Sequence, residues 1–197
     1  CLAPDHGYLF VTFSYHDAGG VLRNNIVGAY NVFEACRQAQ VARLVAASTI
    51  QVSTGHRSQE PYSAVSQGRP QELPPGTARV SAAVPAEPLN LYASSKVFSE
   101  SLCRTYAYSH GMSCLAIRIG WVVGEDRVPN ANAADIWCSQ RDIAGLIECC
   151  VKAPDELRFD IFYGMSANQF LWVDMDNARD KLGFVPLDRA EDNLPER

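Results

Sequence analysis

The chain has 197 residues, enough for one ordinary domain with a core of its own. A hydrophobic content of 47% beside a charged content of 20% is that of a globular protein and argues against a disordered one. The net charge is −5, basic residues do not cluster, and no apolar stretch reaches the roughly 18 residues of a spanning helix, which together argue against nucleic acid or a membrane as partner.

The opening residues, CLAPDHGYLF, have neither the basic nor the long apolar region of a signal peptide, so a cytoplasmic location is expected. The first residue is Cys1 rather than Met, which reads as a chain beginning inside a longer product. Residues 7–13, GYLFVTF, suit a strand. From Asn24 the apolar residues Ile26, Ala29, Tyr30, Val32, Phe33 and Cys36 recur at helical spacing. Residues 41–48, VARLVAAS, form a short valine-rich run, as a buried parallel strand should.

Residues 53–90 are rich in Pro, Gly, Ser and Gln without a sustained period, and predict a long loop, mobile or wrapped over the substrate side. A helix is expected from Leu91 to Ser109, stopped near Gly111, then a strand over residues 112–120, MSCLAIRIG. After an irregular stretch, Ser139 and Asp142 stand at capping-box spacing ahead of a helix reaching Lys152, with Ile143, Leu146, Ile147 and Cys150 inward and Pro154 beyond it. Residues 157–164 suit a further strand, and a last short helix starts at Asp174 or Asp176 and ends at Gly183.

Strands and helices therefore alternate. That order implies an α/β fold, a doubly wound and mostly parallel sheet with helices on both faces. Ligands in such sheets bind beyond the carboxyl ends of the strands. Ser48-Thr49 and Gly120-Trp121 occupy two such ends. The seven cysteines include no CxxC pair, lie mostly in apolar segments and suit buried thiols in a reducing compartment, while the four scattered histidines offer no metal site.

Tyr92 and Lys96 are four residues apart in the first turns of the predicted helix, hence neighbours on one face. A nearby ammonium and the positive end of the helix both favour the phenolate. Such a tyrosine can exchange a proton with an alcohol near neutral pH. Thr49 or Ser48, at the neighbouring strand end, could hold the substrate oxygen.

Three blocks, residues 24–55 (NNIVGAYNVFEACRQAQVARLVAASTIQVSTG), 88–111 (PLNLYASSKVFSESLCRTYAYSHG) and 115–126 (LAIRIGWVVGED), resemble the extended short-chain dehydrogenase/reductases, the NAD-dependent epimerase/dehydratases, and the tail after residue 137 is most similar to their uronate dehydrogenase branch. The resemblance covers about residues 20–190. It implies a Rossmann-like domain over residues 1–197, with the long loop 53–90 and a small substrate-side portion at 121–197. It implies NAD as cofactor, NADP being the alternative, and a sugar or sugar acid as substrate, with a homodimer expected of the full-length form. Tyr92 would be the acid/base, Lys96 would lower its pKa and bind the nicotinamide ribose, and Thr49 would hold the substrate hydroxyl beside Ser48 and Gln51. Asn25 would begin the helix beneath the site, and Ile119, Gly120 and Trp121 would lie by the nicotinamide.

The departures matter as much. Where the uronate dehydrogenases have Ser-Asn-His after the strand, this chain has Thr49-Ile50-Gln51; Trp121 replaces a serine; and their substrate-binding arginine has no clear match, Arg127 being the candidate. No GxxGxxG turn occurs among the thirteen glycines, so the chain reads as lacking its first βα units, and weak NAD binding with self-association is expected of these residues alone. Three functions follow: an oxidoreductase, a nucleotide-sugar epimerase that recycles its NAD, or a catalytically silent member of the fold.

Overall fold

The computed structural model describes residues 8–11, in backbone only, and residues 18–194. Four strands, β1 (Tyr8–Val11), β2 (Arg43–Thr49), β3 (Ser113–Ile119) and β4 (Phe159–Gly164), form one sheet in the order β1-β2-β3-β4, and every pair is parallel. The alternating order of elements read from the sequence is thus realised as a Rossmann-like sheet. Its helices are α1 (residues 18–38), α2 (Leu91–His110), α3 (Gln140–Val151) and α4 (Asp176–Leu182).

The apolar runs of β2 and β3 look featureless because both of their faces are buried. Leu44, Ala46, Cys114 and Ala116 pack with Phe33 and Cys36 of α1 and Cys103 and Tyr106 of α2. The intervening residues, Val45, Leu115 and Ile117, pack with Phe162, with Leu146 and Cys150 of α3, and with Trp172 and Ala178. A period of two along each strand therefore feeds two separate cores.

Helix α1 starts six residues earlier than the expected Asn24. Residues Val21–Val27 are π-helical, between Ala18–Gly20 and Gly28–Gln38. The Gly19-Gly20 pair suggests a break, but Gly20 and Val21 are buried and the helix continues through them. Helix α2 opens on Asn90, whose side chain accepts from Ala93 N at 2.8 Å, and closes on Gly111 at φ 71°, a left-handed position that glycine tolerates best. For α3, Ser139 caps as expected, accepting from Asp142 N at 3.0 Å, but the reciprocal half of the box is absent. Asp142 instead accepts from Ser166 Oγ, Leu187 N and Asp188 N, and so ties the C-terminal segment to this helix.

Residues 53–90 differ most from expectation. They contain the helical turns Thr54–Arg57, Ser63–Ser66 and Pro70–Glu72, and Val65 and Val80 are buried in the main core. Val80 N donates to Trp172 O at 2.8 Å, and Asp174 N donates back to Val80 O at 2.9 Å. Arg57 pairs with Asp135 through two bonds of 2.8 and 2.9 Å, and Asp135 also accepts from Trp172 Nε1. A segment with these anchors is a built wall, not a lid; its lack of period reflects anchors made one at a time to scattered parts of the chain.

A buried ion pair joins the elements under the strand ends. Glu100 of α2 receives Arg118 Nε and Nη2 of β3, each at 2.9 Å, and Ser48 Oγ of β2 at 2.6 Å. Arg118 Nη1 donates to Tyr163 Oη of β4 at 3.0 Å and Ser53 Oγ at 3.2 Å. Removing one partner leaves the other charge buried and unpaired. Glu100→Ala should therefore lose about 3–5 kcal/mol of stability in chemical denaturation; a loss under about 1 kcal/mol, the level of an exposed pair, would contradict this account.

Candidate active site

Strands β2 and β3 run in parallel and deliver Thr49 and, just beyond Ile119, Gly120 to the same end of the sheet. Between them the first turn of α2 presents Tyr92. The space enclosed is a cleft of 780 Å³. Thr49, Gln51, Thr54, Asn90 and Tyr92 supply its polar lining, and Ile50, Leu89, Trp121, Val122 and Ile136 its apolar one.

Lys96 lies one turn deeper on α2. Its side chain is 1% exposed, its Nζ donates to Ala47 O at 2.9 Å, and the same nitrogen is 5.5 Å from the centre of the Tyr92 ring. Burial lowers its pKa from 10.5 to about 8. Tyrosine and lysine are thus neighbours, as the four-residue spacing requires.

Thr49 Oγ1 accepts from Gln51 N at 3.3 Å and so caps the short turn Ile50–Ser53. Gln51 Oε1 accepts from Asn90 Nδ2 at 2.8 Å, so the cap of α2 also fixes the glutamine. Trp121 is 45% exposed on the rim, while its backbone is clamped between Ile136 and Cys138. Gly120 is required there, since a Cβ would fall 2.4 Å from Ile136 O and 2.5 Å from Met165 Sδ.

The structure brings Tyr92, Lys96, Thr49, Gln51, Gly120 and Trp121 together and leaves four other sequence candidates aside. Ser48 is a correction: it belongs to the Leu44–Ala46 face of β2, opposite in pleat to Thr49, and its hydroxyl is committed to Glu100. Arg127 is exposed and does not line the cleft. Ile119 is half-buried below the cleft lining. Asn25 is fully buried in the π-helical part of α1, and its Nδ2 donates to Ser95 Oγ at 2.9 Å, which in turn donates to Tyr92 O at 2.6 Å. It supports the turn that carries Tyr92 rather than facing the cleft. Thr54, Leu89, Asn90, Val122 and Ile136 were not singled out in the sequence. An Asn just ahead of a helical pattern is a readable cap, but its bond to Gln51 spans 39 residues and leaves no local trace.

Fold and site together are those of the short-chain dehydrogenase/reductase class. The chain belongs to the NAD dependent epimerase/dehydratase family, whose sequence profile matches residues 4–144. It is 33% identical over 171 residues to a uronate dehydrogenase of Agrobacterium fabrum, covering 87% of this chain and 56% of that protein. It is 39% identical over 178 residues to an L-arabinose 1-dehydrogenase (NAD(P)(+)) of Haloferax volcanii, covering 84% of this chain and 66% of that protein. The crystal structure of uronate dehydrogenase from Agrobacterium tumefaciens superposes with a TM-score of 0.71 at 29% identity, over 95% of this chain and 64% of that one. The chain thus spans a little over half to two thirds of the length of these relatives.

The nicotinamide end of NAD needs an apolar wall and polar groups for its ribose. Ile50, Trp121 and Val122 offer the first, and the Tyr92 hydroxyl, with the Lys96 ammonium buried behind its ring, the second; Gly120 keeps the strand end free of a side chain. The residues present fit that end of the cofactor.

The lowered pKa of Lys96 sets a stability trend. Between about 8 and 10.5 the unfolded chain holds more protons at this lysine than the folded one, so its contribution to stability rises with pH through that window. Relative to Lys96→Met, the wild type should gain stability from pH 7 to pH 10 in denaturant titrations. A stability difference independent of pH would show that the lysine is not perturbed.

Proposed function

We propose that the protein is an NAD(P)-dependent oxidoreductase that oxidises a hydroxyl group of a sugar or sugar acid, with NAD as its cofactor. The observation that carries this reading is Tyr92 on the cleft with the buried Lys96 ammonium 5.5 Å from its ring. The ammonium and the N-terminus of α2 favour the phenolate, which takes the proton from the substrate hydroxyl. Thr49 Oγ1 accepts from Gln51 N, which leaves its own proton to be given to the substrate oxygen. Lys96, Tyr92, Gly120 and Trp121 would hold the nicotinamide and its ribose. When bound, NAD supplies the hydride acceptor. The relatives named as dehydrogenases of uronate and L-arabinose support the same chemistry.

No helix among the described residues is long and apolar enough to cross a membrane. We place the protein in the cytoplasm, as a homodimer. Free cysteines at 36, 103, 114, 138, 149 and 150 support the first. Exposed Leu22, Val27 and Tyr30 on α1 and Leu91 on α2 support the second.

Tyr92→Phe should lower kcat for sugar oxidation by about 100-fold or more, the usual weight of a general acid–base group, with an unchanged far-ultraviolet circular dichroism spectrum. NADH absorbance in the presence of NAD and a panel of sugars is the measurement. Wild-type rates in the variant would remove Tyr92 from the mechanism, and epimerised sugar without NADH would favour an epimerase.

A further inference from the structure

We infer that the cleft selects a neutral aldose over a uronate or a sugar phosphate, and that Gln51 holds a ring hydroxyl of that sugar. This deepens the oxidoreductase reading above and rests on it.

The hydrogen bonds around Gln51 orient its amide. Ala93 N has only a proton to give, so the Asn90 atom it meets must be Oδ1. Asn90 Nδ2 is then a donor, and the Gln51 atom it meets at 2.8 Å must be Oε1. The amide NH2 of Gln51 is therefore the end available to a ligand on the cleft, next to Thr49 and Thr54. This polar wall offers dipoles and hydroxyls, the partners of ring hydroxyl groups.

An anionic substituent would need more. Moving a carboxylate or phosphate out of water against Ile50, Trp121, Val122 and Ile136 is costly unless a cation meets it. Among the described residues no arginine or lysine lines the cleft. Three of those nearby are committed. Arg118 is taken up by Glu100, Ser53 and Tyr163, and Arg57 by Asp135 and the Asn132 carbonyl. Lys96 is buried against Ala47 O beneath Tyr92. Arg127 is exposed and outside the lining. The half-exposed indole of Trp121 instead suits the C–H face of an uncharged ring.

The test measures NADH formation by the purified protein with NAD and matched pairs: glucose against glucuronate, galactose against galacturonate, and glucose against glucose 6-phosphate. Neutral sugars should exceed their charged partners in kcat/KM by at least about 100-fold, the scale of a polar mismatch in a binding site. Gln51→Leu should cut kcat/KM for the neutral sugar at least about tenfold, with KM for NAD unchanged, as expected for loss of a substrate hydrogen bond. Gln51→Arg should move the preference toward the uronate. Preference for a uronate or a phosphate in the wild type overturns the inference, as does a Gln51→Leu variant with unaltered preference and rate. Calorimetry separates the two claims. Binding of neutral aldoses but not uronates, without NADH, would sustain the cleft's selectivity while the oxidoreductase reading failed. A protein that neither binds nor oxidises any neutral aldose overturns both.

Discussion

The bidentate pair of Glu100 and Arg118 is the interaction on which the site's geometry depends. Two charges out of water cost several kcal/mol each unless every lone pair and proton finds a partner. Here the glutamate receives two bonds from the guanidinium and one from Ser48, and the guanidinium spends another nitrogen on Tyr163 and Ser53. One node thereby holds α2, β2, β3 and β4 together. Tyr92, Lys96 and Glu100 follow at four-residue intervals on α2, so a helix rotated to satisfy Glu100 has also set the other two. At 1.5 Å per residue, the tyrosine is placed about 12 Å above the ion pair, beyond the strand ends.

The same constraint explains why a buried lysine is tolerated beside the tyrosine. Burial disfavours the ammonium and brings its pKa down to about 8, but its bond to the Ala47 carbonyl and the negative face of the Tyr92 ring offset part of that cost. The charge held against its own preference is the charge that the phenol needs.

The walls of the cleft come from distant parts of the chain. Residues 53–90 contribute only Thr54 at one end and Leu89 and Asn90 at the other. What lies between is spent on anchoring, through Arg57 to Asp135 and through Val80 to the Trp172–Asp174 segment. Asp135 is adjacent to Ile136, which lines the cleft, so the long segment shapes the site from behind.

The sequence by itself determined the alternating strands and helices, the burial of both sheet faces, the boundaries of α2 and the Tyr92–Lys96 pairing. Each rests on a local period or a spacing of a few residues, which the backbone converts into a face or a cap without help from elsewhere. The family resemblance added roles for Thr49 and Gly120-Trp121, and all three residues line the cleft. Tertiary structure alone decided the rest. It turned Ser48 away from Thr49 and onto Glu100, because successive strand residues point to opposite faces and only packing says which face meets the helix. It left Arg127 outside, gave residues 53–90 their anchors, and set the Gln51 amide through Asn90. Those outcomes depend on bonds between residues 39 to 94 positions apart, and such contacts impose no period on the chain that makes them.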